Sequence, residues 1–87
     1  MYYVYILKSQ KDSKRIYVGL TNDIEKRIKE HNSALSYYSK RYAPWELVTF
    51  IGFKGKDLAV KFEKYLKNGS GFAFLKRHLL ESVDYDN

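Results

Sequence analysis

The stretch YYVYILK at residues 2–8, followed after a polar run by IYVGL at residues 16–20, decides the fold. Both segments are rich in aromatic and β-branched residues, which favour β-strands. The run between them, Ser9–Lys14, is polar, and two such segments joined by a polar turn predict a β-hairpin. Gly19 lies inside the second strand, where a missing side chain often marks a bulge or the close approach of another backbone.

A helix is predicted directly after this hairpin. Residues 21–23 offer N-cap oxygens, and the pattern predicts a helix from roughly Asp23 to Leu35. The i, i+4, i+7 spacing of the apolar positions, which starts at Ile24, places His31 on the buried stripe. Arg27 lies ~60° from the middle of that stripe. We therefore expect its guanidinium to face a shallow groove rather than open water.

The rest of the chain predicts one more strand and two more helices. Residues 36–44 indicate a basic, aromatic loop, and Trp45–Phe53 indicates a strand that is covered on both faces. A helix that begins near Lys56 ends at Asn68–Gly69, and a last helix follows from Ser70.

The order β-β-α-β-α-α implies an α+β fold, with a small three-stranded antiparallel sheet flanked by helices. The chain has 87 residues, of which 45% are apolar and 17% aromatic, and this composition suits one folded domain. We expect residues 1–81 to form that domain and residues 82–87 to be a flexible acidic tail.

Charge and cysteine content narrow the possible partners. Sixteen Lys and Arg against 10 acidic residues give a net charge of +6, which attracts polyanions such as nucleic acid. The alternative is that positive charge only keeps a small protein soluble. The lack of cysteine excludes a disulfide-linked partner and a thiolate zinc site, and it is compatible with a reducing, cytoplasmic location.

No membrane partner is expected. No apolar run approaches the ~20 residues that span a bilayer. The N-terminus also lacks the basic region and the cleavage site of a signal peptide.

Taken one at a time, the candidate site residues each leave two interpretations open. Glu63 is most simply an i, i+4 ion pair with Lys67, and alternatively a lone carboxylate that holds a hydrated Mg²⁺. Tyr5 and Tyr17 lie in the paired strands, where tyrosine is common for its β-propensity alone. His31 is most simply a helix-face residue with satisfied hydrogen bonds.

Taken in order, these residues form a pattern that resembles the GIY-YIG nuclease superfamily over nearly the whole chain. Within it, the chain is most similar to small single-domain bacterial proteins related to the nuclease module of the excision-repair subunit UvrC. The first signature of the superfamily has Gly where this chain has Tyr3, and the second has Ile where it has Val18. Many members also carry an Asn well beyond the metal-binding Glu, and the region near Leu75 has none. The resemblance rests on Val4-Tyr5-Ile6, Tyr17-Val18-Gly19, Arg27, His31 and Glu63.

The resemblance implies catalytic roles. Tyr17 would orient or deprotonate the attacking water, with Tyr5 beside it across the hairpin. Arg27 would stabilise the charge that builds on the scissile phosphate. Glu63 would bind one divalent cation, Mg²⁺ or Mn²⁺. His31 matches a site histidine that some members have.

Further residues would support the site or contact DNA. Gly19 would be a structural residue at the site. The basic, aromatic segment at residues 36–44 and the first helix would contact nucleic acid, and the alternative is a solvated loop whose tyrosines complete the edge of the core. The residues expected to bind nucleic acid are Lys26, Tyr38, Lys40 and Arg41.

We therefore expect a divalent-metal-dependent endonuclease that hydrolyses phosphodiester bonds in DNA, with structured or damaged DNA in repair or recombination as its substrate. The alternative is a nucleic-acid-binding module without nuclease activity of its own, because so small a chain has little surface with which to select a site. A third hypothesis is a protein-interaction role in which the acidic tail from Glu81 engages a basic partner or the protein's own groove.

Overall fold

A three-stranded antiparallel sheet forms the centre of the computed structural model, which describes residues 1–33 and 37–80. The strands are β1 (Tyr2–Ser9), β2 (Ile16–Thr21) and β3 (Trp45–Phe53), in the order β2-β1-β3. The α+β class and the antiparallel sheet predicted from the sequence are confirmed. The proposed acidic tail at residues 82–87 and the predicted helix end at Leu35 lie outside the described residues.

The central strand β1 is buried on both faces because it has a neighbour on each side and helices above and below. Val4 and Ile6 belong to the core on one face, and Tyr5 and Leu7 belong to the core on the other. This arrangement explains why the strand is almost continuously apolar and aromatic. It also places Tyr5 inside the molecule rather than at its surface.

The described residues form five helical segments around the sheet. They are α1 (Ile24–Asn32), α2 (Tyr37–Tyr42), α3 (Lys56–Leu66), α4 (Gly69–Phe74) and a π-helical turn at Leu75–Leu79 that directly continues α4. Helix α3 and the π-helical turn pack on the face of the sheet that contains Val4, and α4 packs against α3. Within the described residues, no helix is long and apolar enough to span a membrane.

Helix α2 corrects the expectation that residues 36–44 form only a loop. Its six residues are too few for an isolated helix to be stable. Contacts with other elements hold it instead. The Trp45 Nε1–H donates to the Ser39 carbonyl at 2.9 Å, and the Ser9 hydroxyl donates to the Tyr42 carbonyl at 2.5 Å.

Ser9 also closes the β1–β2 hairpin. Its hydroxyl oxygen accepts hydrogen bonds from the backbone N–H groups of Lys11 and Asp12 at 3.1 and 3.0 Å. The side chain is buried, and its one proton and its oxygen are both used. One serine thus fastens the hairpin turn to the end of α2.

Asn32, the last residue of α1, holds the start of β3. Its Oδ1 accepts the Trp45 N–H at 2.6 Å, and its Nδ2 lies 3.4 Å from the Trp45 carbonyl oxygen. The side-chain amide therefore pairs with both backbone groups of Trp45, much as a residue of a neighbouring strand would.

Candidate active site

Two tyrosines and a histidine meet between the sheet and α1. Tyr5 on β1 and Tyr17 on β2 have nearly parallel rings, with centroids 6.2 Å apart and an interplanar angle of 23°. The His31 ring contacts the Tyr17 ring edge-on, with centroids 4.4 Å apart. The helical spacing that predicted His31 on the buried stripe therefore delivers its imidazole, only 4% exposed, to the two strand tyrosines.

Hydrogen bonds connect this cluster to α2. The Tyr5 Oη lies 3.0 Å from His31 Nε2, and His31 Nδ1 lies 2.8 Å from Ser39 Oγ. Burial raises the pKa of Tyr5 to about 12, and the charge of the neighbouring Arg27 only partly offsets that effect. Burial also lowers the pKa of His31, and Arg27 acts in the same direction. Near neutral pH, Tyr5 is a phenol and His31 is an uncharged imidazole.

The direction of these hydrogen bonds depends on which nitrogen of His31 carries the proton, because a neutral imidazole has one N–H donor and one acceptor nitrogen. With the proton on Nδ1, the Tyr5 O–H donates to Nε2 and the Nδ1–H donates to the Ser39 hydroxyl. With the proton on Nε2, the Nε2–H donates to the Tyr5 oxygen and the Ser39 O–H donates to Nδ1.

Gly19 makes room for the Tyr5 phenol. A Cβ at Gly19 would lie 2.4 Å from the Tyr5 Oη, a distance that no side chain could tolerate. Gly19 pairs with Tyr5 in a regular register between β1 and β2. The expectation of a bulge or a close backbone is corrected, because the close neighbour is the phenol of the opposite strand.

Arg27 projects from α1 beside this cluster. Its Nη1 donates to Glu30 Oε1 at 3.0 Å, and this bond is the main reason that the pKa of Arg27 is raised. Its Nε is buried and has no hydrogen-bond partner among the described residues. The side chain is 39% exposed and lines a depression of about 300 Å³, together with Lys26 and Glu30.

Glu63 lies on α3, the helix that covers the opposite face of the sheet. Its Oε2 is 2.6 Å from Lys67 Nζ, and the side chain is only 17% exposed. The hydrogen bonds that join Tyr5, His31 and Ser39 do not include it. A groove of about 350 Å³ along the edge strand β2, lined by both Tyr17 and Lys67, connects this helix to the tyrosine cluster.

Glu63 has the oxygen ligands and the negative charge that Mg²⁺ and Mn²⁺ prefer. Its carboxylate is held by the Lys67 ammonium group at 2.6 Å, so a cation at Glu63 would have to displace Lys67. In the part of the chain that the structure describes, no three His, Cys, Asp or Glu side chains form a further metal-binding group. A cation at Glu63 would therefore complete its coordination with waters and substrate phosphate.

The residues expected to bind nucleic acid are spread over two helices. Lys26 is exposed at the depression beside Arg27, and Lys40 and Arg41 are exposed on α2. The guanidinium carbon of Arg41 lies 5.4 Å from the centre of the Tyr42 ring. The side chain of Tyr38 lies outside the described part of the structure.

The sequence interpretation missed Ser39 as a residue of the site. Ser39 was one serine in an expected loop, and no sequence signal linked it to His31, whose Nδ1 lies 2.8 Å from its hydroxyl.

Comparison with known proteins agrees with this architecture. The GIY-YIG catalytic domain family matches residues 1–76. A UPF0213 protein of Clostridium perfringens is 44% identical over 68 residues, which cover 77% of this chain and 71% of that protein. The solution NMR structure of a UPF0213 protein from Bacillus halodurans superposes with a TM-score of 0.54 at 30% identity, covering 91% of this chain and 87% of that one.

More distant relatives are larger proteins. The structure-specific endonuclease subunit SLX1 homolog of Giardia intestinalis is 38% identical over 65 residues, which cover 70% of this chain and 18% of the relative. For structure-specific endonuclease subunit SLX1 of Candida dubliniensis, the identity is 35% over 85 residues, covering 90% of this chain and 28% of the relative. The chain thus spans less than a third of these two relatives.

The fold and the site together define a class: a minimal α+β domain in which two strand tyrosines meet a helix histidine and arginine on one face of the sheet, with a largely buried glutamate on the helix that covers the other face. The chain belongs to the GIY-YIG family, and the small UPF0213 proteins are among its relatives. This confirms the resemblance inferred from the sequence.

Proposed function

We propose that the protein is a divalent-metal-dependent endonuclease that hydrolyses phosphodiester bonds in DNA, acting on structured DNA in repair or recombination. The observation that carries this proposal is the cluster of Tyr5, Tyr17 and His31 beside Arg27, within the segment that matches the GIY-YIG catalytic domain. The SLX1 relatives are named as structure-specific endonuclease subunits, and this supports the choice of substrate class.

Tyr17 is the residue best placed to act on the attacking water. It is partly exposed and lines the groove along β2, whereas Tyr5 is buried behind it. In the reaction, the water oxygen forms a bond to phosphorus while the bond from phosphorus to the leaving sugar oxygen breaks. Tyr17 would orient that water and, in its phenolate form, receive one proton from it to become the neutral phenol, and the leaving oxygen would gain a proton from solvent.

Arg27 would neutralise the charge that develops on the phosphate. Its unpartnered Nε–H is a donor that a phosphoryl oxygen could satisfy, and the bond to Glu30 holds the guanidinium in place. Tyr5, His31 and Ser39 act as positioning residues, because their hydrogen bonds fix the phenol and the imidazole against Tyr17.

Glu63 would hold one Mg²⁺ or Mn²⁺. When bound, the cation would supply charge neutralisation at the scissile phosphate. Lys67, the present partner of Glu63, would then be free to turn toward the substrate backbone. Lys26, Tyr38, Lys40 and Arg41 would contact the DNA strands outside the reacting phosphate.

A cleavage assay with matched variants tests this proposal. A branched DNA with unpaired arms and a fully paired duplex are incubated with Mg²⁺ or Mn²⁺, and nicks are mapped on both strands. We expect cleavage of the branched DNA by the wild type, and a loss of at least about hundredfold in Glu63→Gln and Arg27→Ala. Glu25→Gln, an exposed glutamate of α1, is the control. Cleavage that persisted both in EDTA and in Glu63→Gln would contradict the mechanism.

The second candidate function is a nucleic-acid-binding module without nuclease activity. Two observations favour it: no Asn is present near Leu75, and Glu63 is paired with Lys67. Tight binding of branched DNA without cleavage under either metal would support this function. For either function we propose a single domain over residues 1–81 and a cytoplasmic location, which the lack of cysteine suits.

A further inference from the structure

We infer that the groove along β2 binds one unpaired nucleotide of the DNA substrate, with its base stacked on Phe72. This inference rests on the proposed function, because the same groove contains Tyr17. The groove has a volume of about 350 Å³. It is lined by Ile16, Tyr17, Val18, Lys67 and Phe72.

Phe72 is an aromatic side chain that the fold leaves open to solvent. It lies on α4 and is 37% exposed, although burial of so large an apolar group would be favourable. Lys76 Nζ lies 5.1 Å from the centre of its ring. A ring that lines a groove and has an ammonium group above it offers a base a stacking surface and offers the attached phosphate a positive charge.

The size of the groove suits a single nucleotide. Its volume of about 350 Å³ lies at the lower end of the ~300–1,000 Å³ of small-ligand sites. A paired base is already stacked on its neighbours and cannot present a face to Phe72 without leaving the helix. The occupant is therefore an unpaired base, such as one at a flap, a gap or a splayed arm.

The charges around the groove fit a nucleic-acid strand. Lys67 lies in its wall and the Lys76 ammonium group lies over the Phe72 ring, so a strand that entered the groove would meet two basic side chains. The apolar side chains of Ile16 and Val18 suit the base itself. Tyr17 lies at the same groove, so the unpaired nucleotide would sit next to the phosphate that is cleaved.

Phe74 provides a matched control on the same helix. It is also 37% exposed, but it lines a different depression with Tyr65 and Arg77. If the loss of apolar surface or of α4 stability weakened DNA binding, Phe72→Leu and Phe74→Leu would weaken it equally. If the substrate base stacks on Phe72, only Phe72→Leu would weaken it.

Binding is measured in EDTA, so that no DNA is cleaved. The DNA is a duplex with a short unpaired arm whose first base is 2-aminopurine, and the same sequence fully paired is the comparison. We expect the wild type to quench the 2-aminopurine fluorescence. Phe72→Leu should weaken binding of the unpaired-arm DNA roughly five- to hundredfold and leave the paired DNA nearly unchanged. Phe72→Trp should retain both the affinity and the quenching, and Phe74→Leu should behave as wild type.

The outcomes separate this inference from the proposed function. Absence of DNA binding by the wild type would contradict both. Normal binding with no quenching, or equal losses in Phe72→Leu and Phe74→Leu, would overturn only the nucleotide site.

Lys76→Ala gives a second measurement that leaves the ring in place. It should reduce the slope of log affinity against log salt by about 0.7 for the single-stranded arm. An unchanged slope would overturn the phosphate contact.

Discussion

At the centre of the site, the Tyr5 phenol packs directly against Gly19. The phenol fills the space in which a side chain at Gly19 would stand, and the same phenol carries the hydrogen bond to His31. A change at Gly19 therefore reaches the imidazole through Tyr5, although the two strands would still pair.

We predict that Gly19→Ala destabilises the fold and reduces activity. The new methyl group forces the Tyr5 ring out of place, which costs about 1–3 kcal/mol as overpacking. Denaturant unfolding measures the loss, and the NMR signal of the His31 ring reports the broken hydrogen bond. Gly55→Ala is the control, because a Cβ there meets nothing within 4 Å. Wild-type stability in Gly19→Ala would show that Tyr5 can move without cost.

His31 makes the stability of the fold depend on pH. Burial lowers its pKa in the folded state below the ordinary value of 6.5, so the unfolded chain takes up a proton first as the pH falls. The neutral imidazole makes its full contribution to the free energy of unfolding above pH 6.5. That contribution is lost as the pH falls from 6.5 to the pKa of His31 in the folded state. We therefore predict that the free energy of unfolding decreases between pH 7 and pH 5.

Denaturant titrations at a series of pH values test this prediction. His31→Gln should remove much of the decrease, whereas His78→Gln, at the exposed end of the chain's last helical turn, should keep it. An identical pH profile in His31→Gln and wild type would exclude His31 as its source.

At the scale of elements, α2 depends on bonds that come from elsewhere in the chain. The Ser9 hydroxyl reaches its last carbonyl, the Trp45 indole reaches the Ser39 carbonyl, and the Ser39 side chain reaches His31. A helix of six residues therefore serves as the support of the imidazole.

We predict that Ser9→Ala loosens the hairpin turn and α2 together. The substitution leaves the Tyr42 carbonyl and two backbone N–H groups without the hydroxyl, at a cost of about 1–3 kcal/mol. Hydrogen exchange should accelerate at Lys11, Asp12 and the amides of α2. Ser13→Ala, an exposed serine of the same turn, should change neither. Faster exchange in the turn alone would mean that α2 does not depend on Ser9.

The hairpin, α1 and the strand β3 could be predicted because their signals are local. The expectation that β3 is covered on both faces was wrong, because β3 is an edge strand and its Phe50 is 51% exposed. The strands are marked by alternating or continuous apolar residues, and α1 is marked by its N-cap residue Asp23. The Asp23 side chain accepts the Lys26 N–H at 3.1 Å. Helix α2 could not be predicted in this way, because its stability comes from Ser9 and Trp45, which are distant in sequence. Tertiary contacts of this kind override weak local propensity.

The same distinction applies to the site. The helical spacing predicted that His31 faces the sheet, and the i, i+4 spacing predicted the pair of Glu63 and Lys67, which the structure contains. Ser39 could not be predicted as the partner of His31, because the contact exists only once α2 has docked. The fit of the Tyr5 phenol against Gly19 likewise required the strand register.

At the scale of the whole molecule, positive charge surrounds a site that is itself nearly neutral. The net charge of +6 comes from residues spread over the turn, α1, α2 and α3, whereas the Tyr5–His31–Ser39 chain carries no charge near neutral pH. Under the proposed function, the attraction of DNA and the chemistry on DNA would fall largely to different residues, and they should respond differently to salt.

We predict that replacing Lys40 and Arg41 by Ala reduces the slope of log affinity against log salt by nearly two units, because each phosphate contact on duplex DNA contributes about 0.9. Fluorescence anisotropy at several salt concentrations measures the slope. The control is the replacement of Lys56 and Lys61, both exposed on α3, by Ala. This double variant should have a slope within about half a unit of wild type. Equal slopes in the two double variants would remove α2 from the DNA interface.

The amide of Asn32 has a consequence for chain entropy. By pairing with both backbone groups of Trp45, it holds the end of α1 next to the start of β3. The entropic cost of bringing the two ends of a connection together grows only with the logarithm of its length. The sheet should therefore tolerate residues added between α1 and β3 far better than residues added to the hairpin turn, where Ser9 fixes the spacing.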